Sequence, residues 1–254
     1  MELTHRVVEC RTKRTFKISQ SADDRFRMVV CELRHGDAVG YGESSPSKRV
    51  TGETLESVGT FLDWAAKEIA DVPVGRWESF LDHVHDDIGG SRSARAALDL
   101  AVHDLVAKVQ EMPVRALYDL PRARLETCMT VSVDEPDVMA QEARGYRDDG
   151  FRVLKLKLGK GERDVARVAA VRAACPDARL RADANTGWTP AEARRVTAAL
   201  AKAGVEFVEQ PFLPADDAEL AALSKESPLT LYADESVKDV EDVRRLHALG
   251  FVGG

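Results

Sequence analysis

Four ionisable residues recur at a near-constant interval along the second half of the chain. Lys157, Asp183, Glu209 and Asp234 are separated by 26, 26 and 25 residues. Each stands at the C-terminal end of a short apolar run, in VLKLKLG, LRADAN, VEFVEQPF and LTLYADES. One acidic residue ahead of a helix is most simply a cap; three in register are candidate metal ligands. Carboxylates brought to one point repel and take up protons unless a cation holds them. An oxygen-only set formed by Asp183, Glu209 and Asp234 suits magnesium, whose octahedral shell is completed by water or substrate.

The stretch LKLKLG adds two lysines, Lys155 and Lys157, alternating with leucines. Alternation is the period of a strand with one apolar face, so the lysines share the other, about 7 Å apart. At an effective dielectric of ~20 they repel by roughly 2 kcal/mol. On an ordinary edge strand such a pair would deter aggregation. Beside a divalent cation and each other, their charged forms are disfavoured. A lysine so lowered can act as a general base near neutral pH. The metal can then stabilise the enolate left when a proton leaves the carbon beside a carboxylate.

The elements that position these residues follow from the pattern. Residues 1 to about 45 read as strands, with a hairpin signal at Gly36-Asp37. From Thr51 to about Tyr118 the pattern is helical, and Ala94, Leu98, Ala101, Leu105 and Val109 fall near one stripe. SQSADD and SSPSKRVTGET read as flexible loops. After Leu125 short apolar runs alternate with helical stretches, at Met129–Val133, Val153–Leu158, Leu180–Asp183, Val205–Glu209 and Leu229–Asp234. In TPAEARRVTAALAKAG, Thr189 is the N-cap, Pro190 sits at N1, Glu192 closes a capping box and Gly204 ends the helix. Such alternation predicts parallel strands with crossover helices. Charged residues at successive strand ends favour a closed barrel, where those ends converge on one mouth. The expected fold is therefore α/β: a partial (β/α) TIM-type barrel of about five βα units over residues 125–254, preceded by an α+β capping domain over 1–124.

Composition narrows the function. The chain of 254 residues has a net charge of −7 and no basic stripe, which argues against nucleic acid and anionic membrane as partners. Cys10, Cys31, Cys128 and Cys175 lie far apart with no CxxC pair, which points to reduced thiols in a cytoplasm and away from a thiolate zinc site. No apolar stretch approaches the ~18 residues that a bilayer requires. His83 and His85 read as surface residues, His103 as a packed helix residue and the arginines of PRARLE as a solvated linker.

LKLKLG, RADANTGW, VEQPF and YADES together resemble the strand motifs of the muconate-lactonizing branch of the enolase superfamily, and most of all its L-Ala-D/L-Glu (dipeptide) epimerases. TCMTVSV, AALDLAVHDLVAKV and YGESSPSKRVTGET are also similar to that family, so nearly the whole chain is covered. The resemblance implies a magnesium-dependent 1,1-proton transfer at the carbon alpha to a carboxylate. By motif, Asp183, Glu209 and Asp234 match the metal ligands and Lys157 an acid/base residue. Lys155 matches the lysine that supports it and helps neutralise the substrate carboxylate, while Thr130 and Asn185 match polar residues near the substrate. The loops after Phe16-Lys17-Ile18 and from Ser44 to Thr54 correspond to segments that fold over the barrel mouth. In some epimerases the first of these supplies an arginine for an acidic side chain. SQSADD holds none, Arg25 following it, which counts against an acidic dipeptide.

The 25–26 residue period places a further strand-end residue near position 259 or 260, past Gly254. FVGG reads as the entry to a sixth strand, and the resemblance implies a second acid/base lysine on that strand and an Asp-x-Asp motif on the eighth. The sequence is therefore expected to be a fragment. Three readings stand: a dipeptide epimerase given in part; another member of the branch, such as an N-acylamino-acid racemase, o-succinylbenzoate synthase or muconate cycloisomerase; and a shortened, non-catalytic protein. The partner expected is a small-molecule carboxylate, a dipeptide in the first reading, with an oligomer of identical chains left open.

Overall fold

A computed structural model of the chain describes residues 1–18, 21–87 and 91–254. Packing divides it into two compact units, Met1–Lys13 with Asp24–Arg124, and Arg14–Asp23 with Leu125–Gly254. The sequence reading kept Arg14–Asp23 within the first 124 residues, whereas the structure packs that segment with the second unit. One main-chain bond and one ion pair explain the difference. Val133 N donates to Lys17 O at 3.1 Å, and Lys17 Nζ reaches Asp134 Oδ2 at 2.5 Å.

One sheet has the order β1 (Glu2–Lys17), β2 (Ala22–His35), β3 (Ala38–Ser44), and most of its residues belong to the first unit. Ser19 and Gln20 of SQSADD lie outside the described residues; Ala22–Asp24, read as loop, belong to β2. β2 and β3 are antiparallel, with His35 opposite Ala38 across Gly36-Asp37. Gly36 takes φ +57°, the left-handed backbone that a two-residue hairpin turn needs and glycine adopts without strain. Three helices follow: α1 (Leu55–Ile69), α2 (Trp77–Asp87) and α3 (Arg92–Val109).

Helix α3 lies directly on the backbone of β3. A Cβ at Gly42 would fall 1.8 Å from the Ala97 carbonyl oxygen, so only glycine permits the approach. Ala94, Leu98, Ala101 and Leu105 are fully buried, as the stripe requires, but Val109 is 40% exposed. It is the last residue of the helix, beyond the last packed turn. His103 packs as expected, edge-on to Trp77 and bonded to the Asp99 carbonyl, while His83 and His85 are exposed.

Helix α3 starts without a local cap. Ser91 has φ +49° and its side chain makes no capping bond. Glu53 supplies the missing acceptor from 40 residues away, taking the Ser93 N–H at 2.9 Å and the Ala94 N–H at 3.2 Å. Burial works against this carboxylate, but the N–H and hydroxyl groups of Ser93, Thr51 and Ala94 outweigh it and hold Glu53 below its ordinary value.

The second unit alternates as β4 (Cys128–Val131), α4 (Pro136–Asp148), β5 (Val153–Lys157), α5 (Arg163–Ala174), β6 (Arg179–Asp183), α6 (Pro190–Lys202), β7 (Val205–Glu209), α7 (Asp217–Glu226), β8 (Thr230–Tyr232) and α8 (Val240–Ala248). The strands form one sheet in sequential order, every neighbour parallel. This is the arrangement of consecutive strands in a (β/α) barrel. Leu154, Leu156, Leu158, Leu180, Ala182, Val208 and Leu231 are fully buried in one core with Val168 and Val171 of α5, Val196 and Leu200 of α6, and Leu220 of α7. The capping box of α6 is present, with Thr189 and Glu192 exchanging bonds and Gly204 at φ +72°. β8 is shorter than expected, leaving Asp234 two residues past its end. In FVGG, Gly253 makes a parallel bridge to Leu231. Among the described residues no helix is long and apolar enough to cross a membrane.

Glu53→Gln should destabilise the protein by about 1–2 kcal/mol at neutral pH in thermal or urea unfolding. A depressed carboxyl contributes stability that is present above its unfolded value of 4.5 and is lost as pH falls through its folded value. The gap between parent and variant should therefore close below pH 4.5; a gap that persists in acid contradicts the role.

Candidate active site

Register brings the sequence candidates into one row. Lys157 pairs with Asp183 and Asp183 with Glu209 across β5, β6 and β7, so the three side chains project from the same face. Asp234 joins them from the turn after β8. Oxygens of Asp183, Glu209 and Asp234 all lie within 4.8 Å of one another. Asp183 is fully buried, Glu209 half-buried and Asp234 exposed.

The lysines close over this cluster. Lys157 Nζ donates to Asp183 Oδ2 at 2.6 Å. Lys155 Nζ lies 2.9 Å from the same oxygen and donates to Glu209 Oε1 at 2.8 Å. The repulsion expected between two lysines on one strand face is thus met by shared carboxylates. Burial pushes the Glu209 carboxyl up, and the charges of Asp183 and Asp234 add to this against the bonds from Lys155. Lys155 is pulled in both directions. Burial does press it downward, but Glu209 and Asp183 lie against it and hold the ammonium above its ordinary value.

Of the other candidates, Asn185 is buried against the cluster. Its backbone N–H donates to Asp183 Oδ1 at 2.9 Å and its Nδ2 to Glu235 Oε1 at 3.3 Å. Thr130 stands opposite Lys155 on β4. The donor set fits a hard divalent cation: three oxygen ligands from three strand ends, close to the ~3–4 Å separations of oxygens around an octahedral ion with ~2.1 Å bonds.

Sequence reasoning left three residues unassigned. Glu235, next to Asp234, is raised by burial and by the charges of Asp234 and Asp183. Gln210, next to Glu209, is fully buried. Both lie inside the quoted motifs YADES and VEQPF. Asp164 carried no such signal, since an acid in the first turn of a helix is commonplace. It is fully buried, and its Oδ2 accepts from Gly159 N, Lys160 N and Trp188 Nε1, each at 2.8 Å. Its Oδ1 takes Arg167 at 3.1 Å. One carboxylate thus fixes the loop after Lys157 to the loop after Asp183. The two loops touch, since a Cβ at Gly187 would fall 2.5 Å from Gly159 Cα.

A parallel sheet with three carboxylates and two lysines at its strand ends is the architecture of an enolase-type barrel. Residues 138–254 match the family described as enolase C-terminal domain-like, and residues 2–118 match the mandelate racemase / muconate lactonizing enzyme N-terminal domain. The chain belongs to the mandelate racemase/muconate lactonizing enzyme family. It is 34% identical over 251 residues to the hydrophobic dipeptide epimerase of Enterococcus faecalis V583, covering 97% of this chain and 71% of that protein. It is likewise 34% identical over 206 residues to the L-Ala-D/L-Glu epimerase of Bacillus subtilis strain 168, covering 79% of this chain and 56% of that enzyme's length. Among solved structures, a dipeptide epimerase from Enterococcus faecalis V583 complexed with Mg and the dipeptide L-Leu-L-Tyr superposes with a TM-score of 0.91 at 33% identity, over 99% of this chain and 72% of that one.

Replacing Asp164 by alanine should strip partners from three N–H groups and from the buried Arg167 guanidinium. Thermal unfolding should show a loss of roughly 3–5 kcal/mol, the range for breaking a buried pair. A loss below about 1 kcal/mol would show that the carboxylate is dispensable to the two loops.

Proposed function

We propose that the chain carries the metal-binding and first acid/base portion of a magnesium-dependent dipeptide epimerase, with residues 1–124 as its capping domain and 125–254 as barrel. The observation that carries this reading is the convergence of Asp183, Glu209 and Asp234 within 4.8 Å, with Lys157 and Lys155 bonded to the same cluster. The relatives named above are dipeptide epimerases, which favours this reading over other members of the branch. An assembled site of this kind disfavours a non-catalytic protein.

The partner is a small-molecule carboxylate, here a dipeptide. Asp183, Glu209 and Asp234 would hold the ion. A bound magnesium ion supplies positive charge against the substrate carboxylate, where negative charge builds as the α-proton leaves. Lys157 receives that proton at Nζ on one face of the planar carbon. Lys155 sets its own positive charge beside the substrate carboxylate. Reprotonation on the same face returns the starting isomer. Inversion requires a second acid/base group on the opposite face. Thr130 and Asn185 would meet polar atoms of the substrate. A cytoplasmic setting belongs to the same reading, supported by four free cysteines.

Exchange at one face tests Lys157 without requiring inversion. With magnesium in heavy water, a dipeptide isomer that presents its α-hydrogen to Lys157 should incorporate deuterium. Lys157→Ala should slow incorporation by about 10²–10⁴-fold. Equal incorporation by parent and variant, or none by the parent, contradicts the assignment.

A further inference from the structure

Each of the three proposed ligands sits at a different strand end, so something must hold the three ends in mutual register. Gln210 touches all three. It follows Glu209 directly. Its main-chain oxygen accepts from Thr186 N at 2.8 Å, in the loop after Asp183. Its main-chain N–H donates to Tyr232 O at 2.8 Å, at the end of β8. Its side-chain Oε1 accepts from the backbone N–H of Asp234 at 2.7 Å and of Ser236 at 3.2 Å. Its Nε2 donates to Phe212 O at 2.8 Å and Ser236 Oγ at 2.7 Å.

The amide orientation is fixed by chemistry on both sides. Backbone N–H groups only donate and the Phe212 carbonyl only accepts, so oxygen must face Asp234 and nitrogen Phe212. The remaining partner agrees. Ser236 spends its single proton on Asp217 Oδ1 at 2.5 Å, so its oxygen can only accept from Gln210. Asp217 is in turn held by Arg245 NH1 at 2.5 Å. The side chain is fully buried and its four side-chain bonds use its hydrogen-bonding capacity well. The backbone bears a cost for this placement: Gln210 has φ +36°, a left-handed value that a non-glycine residue avoids, and it precedes Pro211.

We infer that Gln210 is the positioning residue of the metal centre, which sets the third ligand, Asp234, against the other two through the Asp234 N–H. The inference rests on the metal site proposed above and deepens it. Gln210 does not touch the ion; it acts through Asp234. Residues that orient metal ligands in this way typically contribute 10–100-fold to affinity.

The test uses the 254-residue chain and two readouts. Magnesium titration by calorimetry should show Gln210→Met, similar in volume but without the amide, binding about 10–100-fold more weakly at unchanged far-UV circular dichroism. Combined with Asp234→Asn, Gln210→Met should add little further loss, because both act on one ligand. Losses that simply multiply would assign Gln210 a general structural role and overturn the inference, as would unchanged affinity in Gln210→Met. Amide hydrogen exchange without added metal is the second readout. Gln210→Met should accelerate exchange at Asp234 and Ser236 and leave β5 unaffected; unchanged protection overturns the positioning whatever the metal does. Failure of the parent to bind magnesium would defeat the metal reading itself, and the exchange result would still decide whether Gln210 holds Asp234. If Gln210→Met does not fold, Ser236→Ala removes one of the two acceptors that hold the Gln210 amide Nε2. It should weaken binding several-fold, and unchanged affinity would again overturn the inference.

Discussion

The contact between two lysines and the buried carboxylate of Asp183 is the constraint on which the second unit turns. A carboxylate wholly removed from water costs several kcal/mol unless it is paired and hydrogen-bonded. Asp183 is surrounded accordingly: Lys157 and Lys155 reach one oxygen and the Asn185 N–H the other. The lysines are equally dependent, since on one strand face they would otherwise repel. Each charge is tolerable only because the others are in register with it. That register is a property of parallel strands whose lengths and crossovers repeat every 25–26 residues.

Such a cluster must be held by backbone that does not relax. Asn185 and Thr186, after Asp183, and Gln210, after Glu209, all adopt left-handed φ values. Each costs of order 1–3 kcal/mol, and such residues persist only where the surroundings over-determine them. Here the surroundings are hydrogen bonds between neighbouring strand ends: Thr186 to Gln210, Trp188 to Pro211 and to Asp164, and Asp234 to Gln210. The apolar side of the same strands supplies the rigid base, with leucine and valine side chains packed beneath α5, α6 and α7. The face that carries the carboxylates and lysines is thus precise because the opposite face is an ordinary close-packed core.

Much of this was legible in the sequence. The alternation in LKLKLG puts both lysines on one face, the capping box at Thr189 marks the start of α6, and the strand–helix alternation after Leu125 predicts the parallel order that the sheet shows. What escaped depends on contacts between residues distant in sequence. Glu53 caps a helix 40 residues away, and no local pattern announces it. Asp164 has the look of an ordinary first-turn acid, and its role exists only because Trp188 and Gly159 meet it in space. Strand geometry gives Lys155 its neighbouring lysine but not the carboxylates that arrive from β6 and β7 and hold its ammonium above the ordinary value. Val109 fitted the helical period and still lies outside the packed turns, since periodicity does not say where a helix outruns its partner.

The central claim is that one divalent ion is held jointly by three strand ends. Crystals grown with manganese, an oxygen-seeking ion with a usable anomalous signal, test it most directly. The account predicts a single strong anomalous peak within about 2.0–2.3 Å of an oxygen from each of Asp183, Glu209 and Asp234, with Lys155 and Lys157 turned from those oxygens. A peak elsewhere, or one that lacks any of the three carboxylates, would contradict it.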